Sequence, residues 1–377
     1  MYIWEQTNWP DFTYKYNELS PHLESVRRQQ KALLGEGEKL SRELDLEAQM
    51  DALIQSAIRT SEIEGEILNV ESVRSSVARQ LGMQRAGLKS STAQTDALVG
   101  MLLNATQSLN KPLTQARLCK WQTQLFPDGP GLINPIKIGQ LRGEAPMRVL
   151  SGSIEKPVVH FEAPPRDRLE PELNAFLDWF NNPPKDLDMI IRAGIAHLWL
   201  VTLHPFDDGN GRITRAVTDR ALAQAEQQSI RFYSLSAAIM ERRKEYYSQL
   251  EKAQKGELDI TPWLRWFLNV LEVALKQGRA RFDRVLDKSR FWYRHSQTPL
   301  TERQIKVLNR LLDAGAAQQD AEGFEHGINA EKYKSLTRVS KATATRDLTD
   351  LLNKGCLIKL PSGGRSTRYV INYNSTK

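Results

Sequence analysis

The residues of this chain best suited to chemistry lie in one stretch, His-Pro-Phe-Asp-Asp-Gly-Asn-Gly-Arg, at positions 204–212. His204 is the only side chain there whose ordinary pKa lies near neutrality, which makes it the natural general base for an attacking hydroxyl. It precedes Pro205, which cannot continue a helix, so the imidazole is expected at a turn that ends one. The sequence therefore predicts His204 as a catalytic base at a helix exit.

The second half of the stretch has the composition of a phosphate cradle. Gly209, Asn210 and Gly211 tolerate positive φ, and their backbone N–H groups can turn inward at the start of the next helix. Arg212 and Arg215, three residues apart, would project from one face of that helix and suit further phosphates. A nucleotide is the ligand that this pattern predicts.

Asp208 stands at the mouth of the cradle. A carboxylate beside a polyphosphate is a hard oxygen ligand of the kind that holds Mg²⁺ with most of its waters. A general base, a phosphate cradle and a metal ligand together predict an enzyme that transfers a group from a nucleotide to a hydroxyl. Each part has an ordinary alternative. A histidine at a helix end is often a cap, an Asp-Gly-Asn-Gly run is often only a turn, and paired arginines on a helix often form a solvated face. A P-loop is excluded as the phosphate site, because the chain contains no Gly-Lys-Ser/Thr.

Residues 204–215 resemble the signature of the Fic family, His-x-Phe-x-Asp/Glu-Gly-Asn-Gly-Arg-x-x-Arg, at every defined position, with Phe206 as an anchor in the core. The resemblance covers about residues 110–270. It implies a protein adenylyltransferase that moves AMP from ATP to a Ser, Thr or Tyr hydroxyl of a target protein, or of itself, and releases pyrophosphate. The residues that it places in roles are His204 as base, Asp208 as Mg²⁺ ligand, Gly209 to Gly211 as diphosphate cradle, and Arg212 and Arg215 on the β- and γ-phosphates.

Two further segments take their roles from the same resemblance. Short β-branched runs between Arg148 and Phe161 predict a hairpin, which looks like the family's flap for positioning the target. The strand edge at Val159, His160 and Phe161 would pair with an extended segment of the target, although a surface hairpin without function is the open alternative. Tyr246 and Tyr247 resemble the family's pair of residues on the adenine side.

An upstream segment, residues 57–68, places Thr60 and Glu64 on one helical face, followed by Gly65. Composition alone predicts only an amphipathic helix. The pattern Ser/Thr-x-x-x-Glu-Gly/Asn is similar to the inhibitory helix of Fic proteins, which implies that Glu64 pairs with Arg215 and prevents productive ATP binding. Removal of AMP, with Glu64 orienting a water molecule, stays open beside this inhibitory role.

The last part of the chain is basic, with ten Lys or Arg against Asp347 and Asp350 between residues 332 and 377. Three short helical patterns followed by two strands predict a winged helix-turn-helix. DNA contact is one hypothesis, and a dimerisation or docking module is the other. The candidate DNA contacts are Lys341, Thr343, Thr345, Arg346, Arg365 and Arg368.

The elements that must carry these residues are mainly α-helical. Residues 187–203 are apolar nearly all round and predict a buried central helix leading to His204. The predicted domains are a helical regulatory region at 1–90, a helical Fic core with a hairpin flap at 91–272, a linker helix at 273–297 and a winged helix-turn-helix at 298–377. A length of 377 residues allows several such modules, each with its own core.

Composition narrows the class of protein. The chain is 40% hydrophobic and 26% charged, which is typical of a folded soluble protein, and its net charge of +7 favours anionic partners. No apolar run is long enough for a bilayer and the start lacks a signal-peptide pattern, so a cytoplasmic protein without membrane contact is expected. Cys119 and Cys356 lie far apart, so no disulfide framework or zinc site is expected. A homodimer stays open.

Two other functions compete with AMP transfer to proteins. One is a DNA-binding transcriptional regulator whose core senses nucleotide without catalysis, although a sensor would not need the base His204. The other is a related reaction, which moves UMP, another phosphate-containing group or a terminal phosphate. Members that move a terminal phosphate depart from the Asn-Gly-Arg-x-x-Arg half of the signature, and this chain keeps it.

Overall fold

The computed structural model describes residues 1–37, 41–83, 90–130, 135–153, 156–228, 232–314, 327–361 and 367–373. Within these ranges the protein is mainly helical, which confirms the predicted fold class. The chain divides into two compact units, of which the first holds residues 1–40 and 45–278 and the second residues 41–44 and 279–377. The finer domain boundaries at residues 90, 272 and 297 stay predictions.

The elements of the first unit follow a short 3₁₀ turn at Ile3–Glu5. The helices before the hairpin are α1 (Tyr16–Gly37), α2 (Arg42–Ile63), α3 (Val70–Gln80), α4 (Ala93–Thr106) and α5 (Gln115–Leu125). The helices after it are α6 (Arg166–Asn181), α7 (Met189–Leu203), α8 (Asn210–Glu226), α9 (Leu235–Glu241), α10 (Arg243–Gln254) and α11 (Thr261–Arg294), which continues into the second unit.

Helix α7 is the centre of the first unit. Asp188 caps its start, since Oδ1 accepts hydrogen bonds from the N–H groups of Ile190 and Ile191. Every residue from Ile190 to Leu203 is buried, which confirms the predicted central helix. Neighbouring α6 and α8 pack against it. Because α7 is enclosed on all sides, the turn at its end has a rigid base.

Helix α8 carries the two arginines of the signature. It begins at Asn210, after Gly209 as N-cap residue with φ of 89°. Most of its residues are buried, because α7 and α4 pack against it. Arg220, fully buried near the middle of α8, donates a 3.0 Å hydrogen bond to the Ala105 carbonyl at the end of α4. Packing and this contact hold α8, and with it the start of the helix, in a defined place.

The predicted hairpin is present as two antiparallel strands, β1 (Arg148–Ser153) and β2 (Lys156–Glu162). Leu150 pairs with Val159, and the register shifts between Val149 and Leu150. Such a bulge increases local twist and re-aims side chains. The sheet has these two strands alone within the described chain, so the outer edge of each strand is not paired with a further strand.

The second unit contains helices α12 (Glu302–Ala314), α13 (Ala330–Thr337) and α14 (Lys341–Asn353), then strands β3 (Leu357–Lys359) and β4 (Tyr369–Ile371). The strands pair antiparallel, and Ile328 forms an isolated bridge with Tyr369. A buried polar contact joins the helices, since Asp347 on α14 accepts from Tyr333 on α13 and Arg303 on α12. This order of elements is the one that the sequence predicts.

No helix in the described part of the chain combines the length and apolarity needed to cross a bilayer.

Candidate active site

His204 ends α7 in a left-handed conformation, with φ of 49°. Its Nδ1 lies 3.2 Å from the Val201 carbonyl oxygen, which only accepts, so Nδ1 carries the proton and Nε2 is left as an acceptor. Burial lowers the pKa of His204, the Val201 carbonyl works against this, and the positive charge of Arg142 lowers the pKa further. The ring is therefore neutral at neutral pH, with a free lone pair for a proton.

Asn210 closes the loop that follows His204. Its Oδ1 accepts from the Phe206 N–H at 2.9 Å, and its Nδ2 donates to the Phe206 carbonyl at 2.7 Å. Phe206 itself is fully buried, in agreement with its expected role as an anchor. The side chain of Asn210 therefore fixes the conformation of this loop.

Arg142 is a functional residue that sequence reasoning missed. Its Nε donates to the His204 carbonyl at 2.9 Å, its Nη2 donates to the Pro164 carbonyl, and its backbone N–H donates to the Pro205 carbonyl at 3.0 Å. It is 2% exposed, and burial lowers the pKa of its guanidinium. Arg142 thus holds the backbone of His204 in place, although no local motif in the sequence marks it.

The start of α8 already holds an anionic group. A Cβ added to Gly211 would lie 2.1 Å from Glu64 Oε1, so the carboxylate occupies the space that glycine leaves open. Free N–H groups and the helix dipole favour a negative charge at this end of a helix. At Gly209 a Cβ would lie 2.9 Å from Leu125 Cδ1. Gly211 therefore allows the close approach of an anion, as a phosphate cradle requires, whereas Gly209 allows the close packing of Leu125.

Glu64 lies in the turn that ends α2, and its carboxylate pairs with Arg215. The distance from Glu64 Oε1 to Arg215 Nη2 is 2.8 Å. Arg215 also donates from Nε to Thr60 Oγ1 at 2.8 Å and from Nη2 to the Thr60 carbonyl at 2.9 Å. Burial works to lower the pKa of Arg215, but Glu64 and the neighbouring Tyr246 and Tyr247 outweigh it, so the pKa is raised.

Gly65 allows the turn that presents Glu64. Its φ is 88°, in the left-handed region that favours glycine. The carbonyl of Ile63, the last residue of α2, accepts from Arg243 Nε at 2.7 Å and from the Tyr247 hydroxyl at 3.1 Å. Two hydrogen bonds from α10 therefore hold the turn after α2 beside the site.

Glu66 is a second carboxylate that sequence reasoning missed. Its Oε2 lies 2.9 Å from Arg212 Nη1, and its Oε1 accepts from Gln94 Nε2. The Arg212 guanidinium also lies over the Phe126 ring, 5.4 Å from its centroid. Each arginine of the signature thus faces one carboxylate of the same turn. The alternation Glu64-x-Glu66 was the only sequence signal for this second pair.

Both arginines keep a buried donor without a partner. Arg212 Nε and Arg215 Nη1 have no hydrogen-bond acceptor among the residues that the structure describes. Leaving such a donor unpaired is costly, and a polyanion supplies acceptors. Two buried arginines with spare donors, next to a helix start occupied by a carboxylate, fit the phosphates of a nucleotide.

Asp208 is exposed at the mouth of this site, where its Oδ1 accepts from the Gly209 N–H at 2.5 Å. It lines the cavity of about 790 Å³ that contains His204 and also a neighbouring cavity of about 450 Å³ beside Glu66. One accessible carboxylate next to a phosphate cradle fits Mg²⁺, which keeps several waters and takes phosphate oxygens.

The larger cavity brings most of the predicted residues together. Those that line it are Glu64, His160, Phe161, His204, Asp208, Asn210, Gly211, Tyr246 and Tyr247. Tyr246 is almost fully buried, whereas Tyr247 is 39% exposed. Burial raises the pKa of both tyrosines, so their hydroxyls are neutral.

The hairpin forms one wall of that cavity. His160 Nδ1 lies 3.0 Å from Glu251 Oε2 on α10, which joins the flap to the helix that carries Tyr246. Val159 is 39% exposed, but Phe161 is buried, with its ring edge-on to Tyr2 at 5.2 Å. The exposed part of β2 is therefore Pro157, Val158 and Val159, followed by half-buried His160.

The candidate DNA contacts belong to the second unit. Ser340 caps α14 by accepting from the Thr343 N–H at 3.2 Å. Lys341, Thr345 and Arg346 are exposed at the start of that helix, although Lys341 also pairs with Glu331 at 2.9 Å. Thr343 and Arg368 are partly exposed, and Arg365 lies outside the described residues.

Comparison with known proteins identifies two regions. Residues 112–222 match the Fic/DOC family, and residues 2–83 match a family described as a domain of unknown function, DUF4172. The chain therefore has a Fic/DOC domain that includes His204 and Arg215. Glu64 and Glu66 lie in the region that matches the domain of unknown function.

Two relatives are named Protein adenylyltransferase Fic. The one from Nematostella vectensis is 36% identical over 116 residues, which are 30% of this chain and 25% of the relative. The one from Drosophila willistoni is 27% identical over 231 residues, which are 60% of this chain and 42% of the relative. The chain thus spans less than half the length of these relatives.

Two solved structures share the fold. A Fic family protein from Desulfovibrio desulfuricans superposes with a TM-score of 0.54 at 17% identity, covering 98% of this chain and 99% of that one. A Fic domain containing signaling protein from Bacteroides thetaiotaomicron gives a TM-score of 0.51 at 16% identity, covering 71% and 96%. At such identities the likeness establishes the fold and not the function.

Proposed function

We propose that this chain, whose residues 112–222 form a Fic/DOC domain, is a protein adenylyltransferase that moves AMP from ATP to a Ser, Thr or Tyr hydroxyl of a target protein or of itself. The observation that carries the proposal is the position of His204, whose bare Nε2 belongs to a cavity shared with the anion site at the start of α8. A base beside a phosphate cradle has the parts that nucleotidyl transfer needs.

In the proposed reaction the target hydroxyl oxygen forms a bond to the α-phosphorus of ATP. The bond from that phosphorus to the oxygen bridging to the β-phosphate breaks, and pyrophosphate leaves with the electron pair. The hydroxyl proton goes to His204 Nε2. Arg212 and Arg215 offset the charge that grows on the leaving group. Mg²⁺ at Asp208 would neutralise phosphate charge when bound.

The proposal includes inhibition of the enzyme by its own upstream turn. Glu64 occupies the anion site and pairs with Arg215, so the γ-phosphate and the carboxylate compete for one guanidinium. Breaking such a partly buried pair costs about 3 kcal/mol, which suppresses the competent state roughly a hundredfold. Glu66 on Arg212 would add to the inhibition in the same way.

Removal of AMP is a second activity of the same site. Glu64 and His204 line one cavity, where the carboxylate could orient a water molecule against AMP-modified target. In that role Glu64 would be needed for hydrolysis while it restrains transfer. Loss of AMP from a labelled target, measured with wild type and Glu64→Gln, tests this activity.

DNA binding by the second unit is proposed independently. It is supported by exposed Lys341, Thr345 and Arg346 at the capped start of α14, where a recognition helix of a winged helix-turn-helix contacts DNA. On the alternative function, the chain is a DNA-binding transcriptional regulator whose core senses nucleotide without catalysis.

Mass spectrometry of three purified proteins after incubation with Mg²⁺ and ATP tests the reaction class. Glu64→Gly is expected to carry an AMP adduct on itself or on an added protein mixture, wild type much less, and His204→Ala none. A phosphate adduct would show terminal phosphate transfer, and UMP adducts with UTP alone would show a different nucleotide preference. ATP binding without any adduct in all three would favour the nucleotide-sensing regulator.

A further inference from the structure

The last carbonyl of α2 accepts hydrogen bonds from two side chains of α10. The Ile63 carbonyl oxygen accepts from Arg243 Nε at 2.7 Å and from the Tyr247 hydroxyl at 3.1 Å. The Arg243 guanidinium also lies over the Tyr247 ring, 5.5 Å from its centroid. Ile63 is fully buried, and Glu64 follows it in the chain. This contact therefore lies one residue before the carboxylate that pairs with Arg215.

A carbonyl at the end of a helix needs a donor from outside the helix. The last four carbonyls have no intrahelical partner, and the partial negative charge at this end favours a cation. In the turn after α2 the N–H groups of Glu64 and Glu66 each donate to the Ser61 carbonyl at 3.0 Å. These two bonds do not use the Ile63 carbonyl, to which Arg243 brings a charged donor. The chemistry of the helix end thus explains why an arginine of α10 is bound there.

Two contacts near the turn respond differently to a nucleotide on the proposed function. Glu64 pairs with Arg215, and a phosphate would compete for that guanidinium. The contact of Arg243 with the Ile63 carbonyl uses neither of those groups. It can therefore persist when the carboxylate is displaced. A turn held in this way keeps the carboxylate close to the guanidinium that it has left.

We propose that Arg243 is a positioning residue for the inhibition, which sets how strongly Glu64 competes with the nucleotide for Arg215 by fixing the Ile63 carbonyl. This inference rests on the proposed function. A tethered group competes at an effective concentration that depends on how closely its tether holds it. Loss of the Arg243 contact would lower the effective concentration of the Glu64 carboxylate and so weaken the inhibition, although Glu64 itself is unchanged.

Direct contact with the nucleotide is the competing explanation for Arg243. Its side chain lines the cavity that contains His204, and a guanidinium there could bind a phosphate. The two roles predict opposite effects on activity. Loss of a phosphate ligand would lower activity whether Glu64 is present or not. Loss of a contact that positions Glu64 would raise activity, and only when Glu64 is present.

The test is a double-mutant cycle of Arg243→Met and Glu64→Gly, with kcat for AMP incorporation and KM for ATP. With Glu64 present, Arg243→Met is expected to raise kcat/KM about tenfold, through loss of one charge-assisted hydrogen bond. In the Glu64→Gly background it is expected to change neither kcat nor KM. Arg243→Lys, which keeps a charged donor, is expected to stay near wild type. Lys252→Met, an exposed lysine of α10 that does not line the cavity, is the matched control.

Hydrogen exchange measures the turn independently of activity. The N–H groups of Glu64 and Glu66 are expected to exchange about tenfold faster in Arg243→Met than in wild type, because the turn opens more often. Lys252→Met is expected to leave this exchange unchanged. Thermal unfolding of each variant separates local opening from global destabilisation. If Arg243→Met does not fold, Arg243→Ala is judged by the same expectations.

A lower kcat/KM in Arg243→Met in both backgrounds would assign Arg243 to the nucleotide and overturn the inference. Equal activation with and without Glu64 would overturn it as well, as would unchanged exchange at the turn. Normal AMP incorporation by Glu64→Gly together with an unchanged rate in Arg243→Met would overturn this inference alone. A Glu64→Gly protein that neither binds ATP nor incorporates AMP would overturn the proposed function and this inference with it.

Discussion

Glu64 Oε1 lies 2.8 Å from Arg215 Nη2 and 2.1 Å from the position that a Cβ of Gly211 would take. One carboxylate therefore occupies two features that favour an anion, the buried guanidinium and the start of α8. On the proposed function, a phosphate of the nucleotide would need the same place, so nucleotide binding and the position of the upstream turn would depend on each other.

Removing the carboxylates of both Glu64 and Glu66 is expected to raise the rate of AMP incorporation more than removing the Glu64 carboxylate alone. Arg212 is 10% exposed in its pair with Glu66, whereas Arg215 is 2% exposed in its pair with Glu64, so solvent weakens the Glu66 pair more and its contribution is expected to be the smaller one. AMP incorporation by Glu64→Gly/Glu66→Gln is expected to exceed that of Glu64→Gly about threefold, by the same competition for a phosphate-binding arginine. Glu62→Gln, whose partner is Arg59, is the control. Equal rates for the single and double variants would contradict a role for Glu66.

Arg142→Met should damage both stability and catalysis. The substitution removes donors from the carbonyls of His204 and Pro164, and leaving both unpaired is expected to lower the free energy of unfolding by about 3 kcal/mol. Urea unfolding measures this change, and kcat should fall because the backbone that positions the imidazole is released. Arg265→Met, which breaks the ion pair of Arg265 with Glu18 away from the cavity that contains His204, is the control. An unchanged kcat in a folded Arg142→Met protein would show that the hydrogen bond from Arg142 to the His204 carbonyl is not needed for catalysis.

The pH dependence of AMP transfer follows from the pKa of His204. The base works when neutral, and burial lowers its pKa below the ordinary value of 6.5. Activity is therefore expected to be lost only as pH falls below 6.5 and to be level between pH 7 and 8. In Glu64→Gly the pH at which activity is lost is expected to be lower still, since the negative charge of Glu64 raises the pKa of His204. A pH–rate profile with its midpoint above 6.5 would contradict this.

Duplex DNA binding should depend on Arg346. In the full chain, Arg346→Ala is expected to weaken DNA binding about tenfold. The number of counterions released on binding, measured from the salt dependence, is expected to fall by about one, because one phosphate contact is lost. Fluorescence anisotropy at several salt concentrations measures both effects. Lys31→Ala, an exposed lysine on α1, is the matched control. Identical curves for the two variants would favour a docking module over a DNA-binding one.

Local patterns in the sequence predicted much of the secondary structure. The apolar run at residues 187–203 predicted a buried helix because such a stripe on every side can only be covered by protein, and α7 confirms it. The β-branched runs predicted the hairpin at β1 and β2 for a similarly local reason. The burial of Phe161 could not be read from the alternation, because it depends on Tyr2, which comes from a distant part of the chain.

The sequence by itself determined which residues form the candidate site, since a base, a metal ligand, a cradle and two arginines follow one another between residues 204 and 215. Only the tertiary structure decided what holds and occupies that site. The contacts of Arg142 with His204, of Glu66 with Arg212 and of Glu64 with Arg215 join residues from separate elements. Such contacts arise when helices pack and exclude water, because buried charges and donors must then find partners that no local spacing specifies.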